Sequence, residues 1–506
     1  MEVLSVKNLS FQYDNNRVLD HVEFQVQQGE MILLCGPCGC GKTTLLRLLK
    51  EEICPQGYID GEITTVYESS KIGYLFQNPE SQIVCGTVEE ELVFGAENLG
   101  MDREQIARSV AEISAYLGIE SILHRNTAEL SGGQKQILNL ASLLMMNPKF
   151  LLLDEPISQL DPVCTYDFMN LIKKIREDLN ITIIVVEHNL ERFLWEADKI
   201  LYMENGRILY EGMSGGFMDF LFRESKPFRY SLPEVVKLYQ KYFHENYSAS
   251  ARELFVQLSG MSKKQISSRD KQTIENTREE VLKIKSGYFR YEKESEDILK
   301  DLNVTFRKGH IYGIAGGNGV GKSTLFSVLS GYRKLYRGKC IVKGKIGILP
   351  QNPVYAFFKD SLWDDLLMIA KKEKIEEYLE RYDFCEDIKK YLNQNPLDLS
   401  GGQMQKAAIF KLLLGDSDIL LMDEPVKSMD GYEKYLFTNV LEQLRMEGKT
   451  ILFISHDLEF IQESADLCLF MFEGKIIAKG EPAQIFQKNR FYTTVLGRLR
   501  GMWEDD

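Results

Sequence analysis

Short runs of consecutive apolar residues alternate along the chain with longer segments in which apolar residues recur every three or four positions. MILLCG (31–36), FLLLDEP (150–156) and ITIIVVEH (181–188) are such runs, and each is bounded by turn-forming residues. These runs are typical of strands buried on both faces of a parallel sheet, and the amphipathic segments between them predict helices. The sequence therefore predicts an α/β fold.

The chain contains the same series of segments twice. Residues 3–46 recur as 281–326, and three later landmarks recur in the same order. A repeat this long indicates a domain duplication and not the short unit of a solenoid. We predict a first domain at 1–225, a helical and polar linker region at 226–280 and a second domain at 281–506.

Composition and charge narrow the classes of protein to consider. Asp and Glu outnumber Lys and Arg by 74 to 61, and a net charge of −13 argues against a main surface that grips nucleic acid phosphates. The sequence has no run of 18 apolar residues and no basic-then-apolar leader, so it predicts neither a membrane span nor a secretory signal. The nine cysteines are expected to be reduced thiols in a cytosolic protein.

Two glycine-rich loops of the form GxxxxGK[ST] predict phosphate binding. They occupy 36–43 and 316–323, and each lies between an apolar strand and a helix. The backbone N–H groups of such a loop surround phosphate, and the helix N-terminus adds its dipole. We predict that Lys42 and Lys322 reach the β- and γ-phosphates, while the hydroxyl that follows each lysine holds Mg²⁺.

The first of these loops also contains three cysteines, in CGPCGC (35–40). Cys35 and Cys38 have the spacing of a redox pair or of half a metal site, but no second Cys/His cluster accompanies them. Cys38 and Cys40 are therefore either small residues that fit the loop or thiols that a helix N-terminus makes reactive.

Two further motifs occur once in each half. Asp154-Glu155 and Asp423-Glu424 end apolar strands, where the first acid can reach Mg²⁺ and the second can face a water that attacks the γ-phosphate. LSGGQ places a serine hydroxyl and bare glycine N–H groups at a helix start, which is a second anion site. Because each half already has a phosphate loop, the second anion site makes sense if it completes the nucleotide site of the other half.

The combination of phosphate loop and LSGGQ resembles the ATPase subunit of ATP-binding cassette (ABC) systems, over nearly the whole chain outside the linker. The resemblance implies two tandem P-loop (RecA-like) ATPase domains, each with an antiparallel β subdomain and a helical subdomain. It implies ATP and Mg²⁺ as ligands and two composite sites, formed by pairing of the halves, at which ATP is hydrolysed. The resemblance also implies four further roles in each half. A tyrosine (Tyr13, Tyr291) would stack on adenine, and a glutamine (Gln77, Gln351) would sense Mg²⁺ and the membrane partner. A histidine (His188, His456) would contact the γ-phosphate, and an aspartate (Asp161, Asp430) would link the two sites.

Motifs and resemblance together assign the candidate site residues. Nucleotide-binding candidates are Tyr13, Gly36, Gly39, Gly41, Lys42, Thr43, Thr44, Gln77, Ser131, Gly132, Gly133 and Asp161 in the first half. In the second half they are Tyr291, Gly316, Asn318, Gly319, Gly321, Lys322, Ser323, Thr324, Gln351, Ser400, Gly401, Gly402 and Asp430. Metal-binding candidates are Thr43, Gln77, Asp154, Ser323, Gln351 and Asp423, and catalytic candidates are Glu155, Glu424, His188 and His456.

The segment around Gln77, GYLFQNPESQIVCGTVEEELVFGAENLG (73–100), resembles one branch of the family, the energy-coupling factor (ECF) ATPases. That branch implies a peripheral ATPase at the cytoplasmic face of the cell membrane, powering the import of a vitamin, a vitamin precursor or a metal ion. Its partners would be a membrane coupling protein and a small substrate-capturing membrane protein, with no nucleic acid. The second half shares only QNP with this pattern.

Two alternatives stay open: a tandem ATPase of a sugar importer, and a ribosome-associated ABC translation factor. The acidic run near Gln77 is a candidate docking surface for arginine-bearing coupling helices, although a plain solvated helix face would explain it as well. Its members are Glu80, Glu89, Glu90 and Glu91, and the acids retained in the second half are Asp364 and Asp365.

Overall fold

A computed structural model describes most of the chain, namely residues 1–14, 16–158, 160–188, 190–243, 250–260, 279–489 and 492–499. The residues form two units, Met1–Ala251 and Arg252–Asp506. Each unit contains a six-stranded sheet and a three-stranded antiparallel sheet, together with helices. The predicted α/β fold with an antiparallel subdomain in each half is confirmed.

The first unit follows the predicted alternation of strands and helices. Its strands are β1 (Glu2–Tyr13), β2 (Asn16–Gln27), β3 (Met31–Cys35), β4 (Tyr58–Thr65), β5 (Ile72–Leu75), β6 (Phe150–Asp154), β7 (Thr182–Val186), β8 (Lys199–Glu204) and β9 (Arg207–Gly212). Its helices are α1 (Lys42–Leu48), α2 (Val88–Asn98), α3 (Arg103–Leu117), α4 (Gly132–Met145), α5 (Pro162–Leu179), α6 (Ser214–Arg223) and α7 (Glu234–Phe243).

The larger sheet of the first unit has the strand order β5-β6-β7-β3-β8-β9 and is parallel except for the edge strand β9. Every residue of β3, β6 and β7 is buried, as their continuous apolar sequences require. Strands β2, β1 and β4 form the antiparallel sheet, and helices α2 to α4 share a separate apolar cluster. The carboxyl ends of β3, β6 and β7 therefore meet at one edge of the larger sheet, where a ligand site is expected.

The second unit repeats this plan. Its strands are β10 (Glu280–Phe289), β11 (Leu299–Arg307), β12 (Ile311–Ala315), β13 (Arg337–Val342), β14 (Ile346–Leu349), β15 (Ile419–Asp423), β16 (Thr450–Ile454), β17 (Leu467–Phe472) and β18 (Lys475–Gly480). Its helices are α8 (Ala251–Ser259, reaching back to the boundary), α9 (Lys322–Leu329), α10 (Leu362–Leu367), α11 (Lys372–Arg381), α12 (Gly401–Leu414), α13 (Gly431–Met446), α14 (Leu458–Ser464) and α15 (Pro482–Gln487). The larger sheet has the order β14-β15-β16-β12-β17-β18, and β11-β10-β13 form the antiparallel sheet.

The predicted linker at 226–280 is helical where the structure describes it. Helix α7 buries Val236 and Tyr239 within the first unit, whereas α8 buries Leu254 and Leu258. The polar part of the linker, MSKKQISSRDKQTIENT (261–277), lies outside the described residues. The domain limits at 225/226 and 280/281 stay predictions. Within the described ranges, no helix is both long enough and apolar enough to cross a membrane.

Candidate functional site

The first glycine-rich loop follows β3 and leads into α1. Gly36 has φ 153°, and a Cβ there would lie 2.0 Å from the Met203 carbonyl oxygen, so only glycine fits. A Cβ at Gly39 would meet nothing within 4 Å, which leaves open space in the concave part of the loop. The Lys42 ammonium donates to the Gly36 carbonyl at 2.9 Å and to the Pro37 carbonyl at 2.8 Å. The loop thus holds a positive charge beside open space, as a phosphate-binding loop requires.

The second glycine-rich loop has the same construction. The Lys322 ammonium donates to the carbonyls of Gly316 at 3.0 Å and Gly317 at 2.8 Å. A Cβ at Gly316 would lie 2.4 Å from the Met471 carbonyl oxygen. The remaining loop candidates lie in these two loops or in the first turns of α1 and α9: Gly41, Thr44, Asn318, Gly319, Gly321 and Thr324.

The two acids of the first half point to different partners because the backbone turns between them. Asp154 ends β6, and Glu155 has φ 46°, an uncommon value for a residue with a side chain. Asp154 Oδ1 accepts a hydrogen bond from the Thr43 hydroxyl at 3.1 Å, and its Oδ2 accepts from the Tyr74 hydroxyl at 2.8 Å. Burial and the neighbouring charge of Glu155 raise the pKa of Asp154.

Glu155 itself is held at both carboxylate oxygens. His188 Nε2 lies 2.6 Å from Oε1, and the Gln77 amide donates to Oε2 at 2.6 Å. Burial alone would raise the pKa of Glu155, but the charge and hydrogen bond of His188, with help from Lys42 and Gln77, hold it below its usual range. The first half therefore brings Gln77, Glu155 and His188 together as one cluster.

The second half places its two acids in the same way but holds the glutamate less firmly. Glu424 has φ 51° after Asp423, which the Ser323 hydroxyl contacts by a hydrogen bond. His456 Nε2 lies 3.5 Å from Glu424 Oε1, and this buried oxygen has no hydrogen-bond partner among the described residues. Burial and the charge of Asp423 raise the pKa of Glu424 well above its usual range. Gln351 is exposed, unlike the half-buried Gln77.

The two candidate adenine-stacking tyrosines end the first strand of each antiparallel sheet or follow it. Tyr13 packs edge-on against Phe11, with ring centroids 4.8 Å apart, and remains 36% exposed. Tyr291 packs in the same way on Phe289 at 5.1 Å, and its hydroxyl lies 3.1 Å from Thr324 Oγ1. Both rings are thus fixed at one edge and open at the surface, as an aromatic stacking partner needs.

The LSGGQ and linking-aspartate motifs begin helices. Ser131 and Ser400 cap α4 and α12, each accepting a hydrogen bond at 3.3 Å from the N–H of the motif glutamine. Asp161 caps α5, and Asp430 caps α13. The motif glycines Gly132, Gly133, Gly401 and Gly402 form the first turns of α4 and α12. These first turns have backbone N–H groups not used within the helix, which suits an anion.

The chemistry of the donors fits Mg²⁺ and a nucleotide. Thr43 and Asp154 supply a hydroxyl and a carboxylate oxygen within 3.1 Å of each other at the end of the phosphate loop, and Mg²⁺ prefers such oxygen ligands. The second half offers Ser323 and Asp423 at the matching positions, where Ser323 interacts with the Asp423 carboxylate.

A family model described as ABC transporter matches residues 19–158 and 299–427, one match in each half. The chain belongs to the ABC transporter family. Its two halves are the ATPase domains of a tandem ABC ATPase, and ATP is their ligand.

Relatives and solved structures agree with this ABC assignment. A Bacillus cereus protein named "Putative ABC transporter ATP-binding protein" is 37% identical over 527 residues, covering 98% of this chain and 94% of the relative. "Putative HMP/thiamine import ATP-binding protein YkoD" of Bacillus subtilis is 29% identical, covering 96% of this chain and 93% of the relative. The archaeal ribosome recycling factor aABCE1 aligns with a TM-score of 0.63 and 20% identity over 95% of this chain and 91% of that one, a likeness of fold.

Two acids of the predicted docking surface, Glu91 and its second-half counterpart Asp365, are buried, and for these two the prediction is wrong. Glu80, Glu89 and Glu90 are exposed, and their docking role stays a prediction. Glu91 is buried, and its Oε2 accepts hydrogen bonds from the Val84 and Cys85 N–H groups at 2.9 and 2.7 Å. Glu80 pairs with Lys135 at 2.7 Å, and Glu90 completes the cap of α2. In the second half Asp365 is likewise buried and binds Lys411. Glu91 and Asp365 each accept hydrogen bonds from two loop N–H groups, because a backbone N–H that is taken out of water needs an acceptor.

The environment of Cys40 bears on the two interpretations given above for the cysteines of the first phosphate loop. Its side chain is buried, and burial raises the pKa of the Cys40 thiol even though Lys42 Nζ lies 3.6 Å from its sulfur. A buried protonated thiol is a packing residue, so this part of the loop follows the simpler of the two interpretations.

Sequence reasoning missed Tyr74, which contacts the acid of the ABC site directly. Tyr74 lies in the buried run IGYL of β5, and no motif of the sequence singles it out. The available signal was the comparison of the two halves, because the second half has Ile348 at the matching position of IGIL.

Proposed function

We propose that this chain is the energy-coupling ATPase of an ECF-type importer for a micronutrient, acting at the cytoplasmic face of the membrane. Its partners would be a membrane coupling protein and a small substrate-capturing membrane protein. The observation that carries the proposal is the contact between Gln77 and Glu155, because it joins the candidate general base to a surface segment that a partner can reach.

The segment that follows Gln77 has the character of a contact surface. Val84 is 69% exposed between Gln77 and the start of α2, so a partner that docks on this segment would cover an apolar side chain. The same segment is anchored from within by the buried Glu91. A partner that binds this anchored loop would move the loop and Gln77 together. Because Gln77 donates a hydrogen bond to Glu155, this movement would change the orientation of Glu155.

For the reaction, each phosphate loop would bind the β- and γ-phosphates, with Lys42 or Lys322 moving from loop carbonyls to phosphate oxygens. Glu155 and Glu424 would orient the attacking water and accept its proton. His188 and His456 would contact the γ-phosphate. Bound Mg²⁺, held by the threonine or serine and the aspartate of each half with Gln77 or Gln351, would neutralise charge on the phosphates.

The LSGGQ motif of each half would complete the site of the other half. In this proposal the loop of Lys42 works with Ser400, Gly401 and Gly402, and the loop of Lys322 works with Ser131, Gly132 and Gly133. Asp161 and Asp430 would link the two sites. The capped helix starts of α4 and α12 support the proposal, because each half carries a second anion site that its own phosphate loop does not need.

The import role is supported by sequence. The 73–100 segment has the ECF pattern, and the Bacillus subtilis relative carries HMP/thiamine import in its name. The structural likeness to a ribosome recycling factor concerns the fold that all tandem ABC ATPases share.

Affinity purification of the full chain from detergent-solubilised membranes tests this function. We expect two integral membrane proteins to co-purify, and Val84→Asp to abolish their recovery while the purified chain keeps its ATPase activity. Val66→Asp is the matched control, since Val66 is 55% exposed elsewhere in the same half. Recovery of ribosomal proteins instead, or of a sugar-transport permease pair, would contradict the ECF assignment.

A further inference from the structure

We propose that Tyr74 is a positioning residue that fixes the metal-binding carboxylate of the first half, and that its absence from the second half makes the two nucleotide–metal sites unequal. The first site would bind the metal more tightly. This inference rests on the Mg²⁺ role proposed above for Asp154.

The contact is direct and well constrained. Tyr74 lies on β5, next to β6, and only 3% of it is exposed. Its hydroxyl donates to Asp154 Oδ2 at 2.8 Å, while Thr43 donates to Oδ1 at 3.1 Å. The ring of Phe76 packs against the Tyr74 ring at a centroid distance of 4.8 Å. Both carboxylate oxygens are therefore oriented by donors on rigid elements, which is how outer partners tune a metal ligand.

Arg47 on α1 extends this arrangement. Its guanidinium interacts with both the Tyr74 hydroxyl and the Asp154 carboxylate. The Arg47 Nε is buried and has no hydrogen-bond partner in the described structure. Arg47 is half-buried, and its positive charge beside the phenol and the carboxylate favours a fixed carboxylate over one that rotates.

The second half lacks both parts. Ile348 takes the place of Tyr74, and Ser327 takes the place of Arg47 at the same spacing from the phosphate loop. The Ser327 hydroxyl instead donates to the Ser323 carbonyl within its own helix at 3.0 Å. Asp423 thus keeps the serine contact from the phosphate loop but has no phenol to orient its second oxygen.

A buried tyrosine can also serve packing alone, and Tyr202 provides the comparison. It is fully buried in the same unit, and its hydroxyl donates to Glu204 at 3.2 Å, a carboxylate that the sequence assigns to no site. Removing the hydroxyl of Tyr202 therefore matches the chemical change at Tyr74 without touching the metal ligand.

The test measures Mn²⁺ binding by electron paramagnetic resonance in the full chain with a non-hydrolysable ATP analogue. Lys322→Ala or Lys42→Ala leaves one functional phosphate loop, so each site is measured alone. We expect the first site to bind Mn²⁺ about tenfold more tightly than the second, and Tyr74→Phe to weaken the first site about tenfold, as loss of an outer partner does. Tyr202→Phe should leave both affinities unchanged.

Tyr74→Ile, which installs the residue of the second half, should make the two sites alike, and it keeps the test valid if the phenylalanine variant unfolds. Unchanged Mn²⁺ affinity in a folded Tyr74→Phe chain, with its thermal midpoint near that of Tyr202→Phe, would overturn the inference while leaving the Mg²⁺ role intact. Absence of nucleotide-dependent Mn²⁺ binding in the unaltered chain would overturn the Mg²⁺ role itself, and this inference with it.

Discussion

At the scale of single residues, identical side chains in the two halves are held differently. Glu155 receives a hydrogen bond from Gln77 and contacts His188 at 2.6 Å, whereas the contact between Glu424 and His456 is 3.5 Å. Gln351 is exposed in the second half. The structure therefore shows a tightly connected candidate cluster in the first half and a looser one in the second half, with the same residue types.

This difference bears on the two candidate general bases. We expect Glu155→Gln and Glu424→Gln each to lower steady-state ATP turnover by about a hundredfold, the usual effect of losing a general base, while ATP binding persists. The rate of phosphate release measures ATP turnover, and binding of a fluorescent ATP analogue measures ATP affinity. Glu80→Gln, which alters an exposed acid of the first half, is the control. If ATP turnover fell only to one half in a single variant, the two sites would work independently. If turnover did not change, the substituted site would be one that does not hydrolyse ATP.

Part of the site could be predicted from sequence at this scale, and part could not. The phosphate-loop lysines and the acid pairs follow from short motifs whose geometry is local. The role of Tyr74 was not predicted, because its contact with Asp154 joins residues that are 80 positions apart in the sequence. Glu91 was misjudged because its burial depends on how the Val84–Cys85 backbone folds back over the start of α2. Gln77 and Gln351 share the motif QNP, so only tertiary structure distinguishes their contacts.

At the scale of elements, the two LSGGQ helices are anchored by different interactions. On α12, Lys406 binds Glu433 of α13 at 2.7 Å and Asp387 at 2.9 Å, with its side chain 7% exposed. On α4 the matching position is Ile137. The preceding Gln405 donates to the backbone carbonyls that follow β15, while the identical Gln136 has no hydrogen-bond partner in the described residues.

The buried ion network on α12 should matter for stability. We expect Lys406→Met to lower the free energy of unfolding by about 3 kcal/mol, because it leaves the Glu433 carboxylate, which is only 14% exposed, facing an apolar side chain. Urea denaturation followed by circular dichroism measures this change. Lys135→Met is the matched control on α4, since its partner Glu80 is exposed and such a pair contributes at most about 1 kcal/mol. Equal changes in the two variants would contradict the assignment of a buried network.

The sequence anticipated the elements well because their signals are periodic. Continuous apolar runs predicted β3, β6 and β7, which are fully buried, and the duplication predicted the second set. Thr87 and Glu90 have the sequence spacing of a capping box, and both of its hydrogen bonds form at the start of α2. Helix α7 lies in the part of the linker that was predicted to be helical, whereas the bounds of α7 and α8 depend on packing partners that short amphipathic patterns do not reveal.

At the scale of the whole molecule, the proposed pairing of each phosphate loop with the opposite LSGGQ motif can be tested by site-specific trapping. We expect Ser400→Arg to prevent vanadate-trapped photolabelling at the loop of Lys42 while sparing the loop of Lys322, since arginine would fill the signature position of one site only. Ser131→Arg should do the reverse. Mass spectrometry of the labelled peptides separates the two loops, and loss of label at the loop of the same half would contradict the proposal.

The capped start of each LSGGQ helix has a consequence for the interpretation of signature variants. The serine oxygen accepts one hydrogen bond from the helix at 3.3 Å, and its single proton can still be donated to an oxyanion. Substitution of the serine by alanine removes both the helix cap and the hydroxyl that donates to the ligand. A loss of function in the alanine variant therefore does not tell whether the helix start has frayed or the ligand contact is missing. Aspartate caps a helix as well as serine does but is an acceptor only at neutral pH. Ser131→Asp and Ser400→Asp thus separate the two roles of the serine, because each keeps the helix cap while its negative charge repels the phosphate.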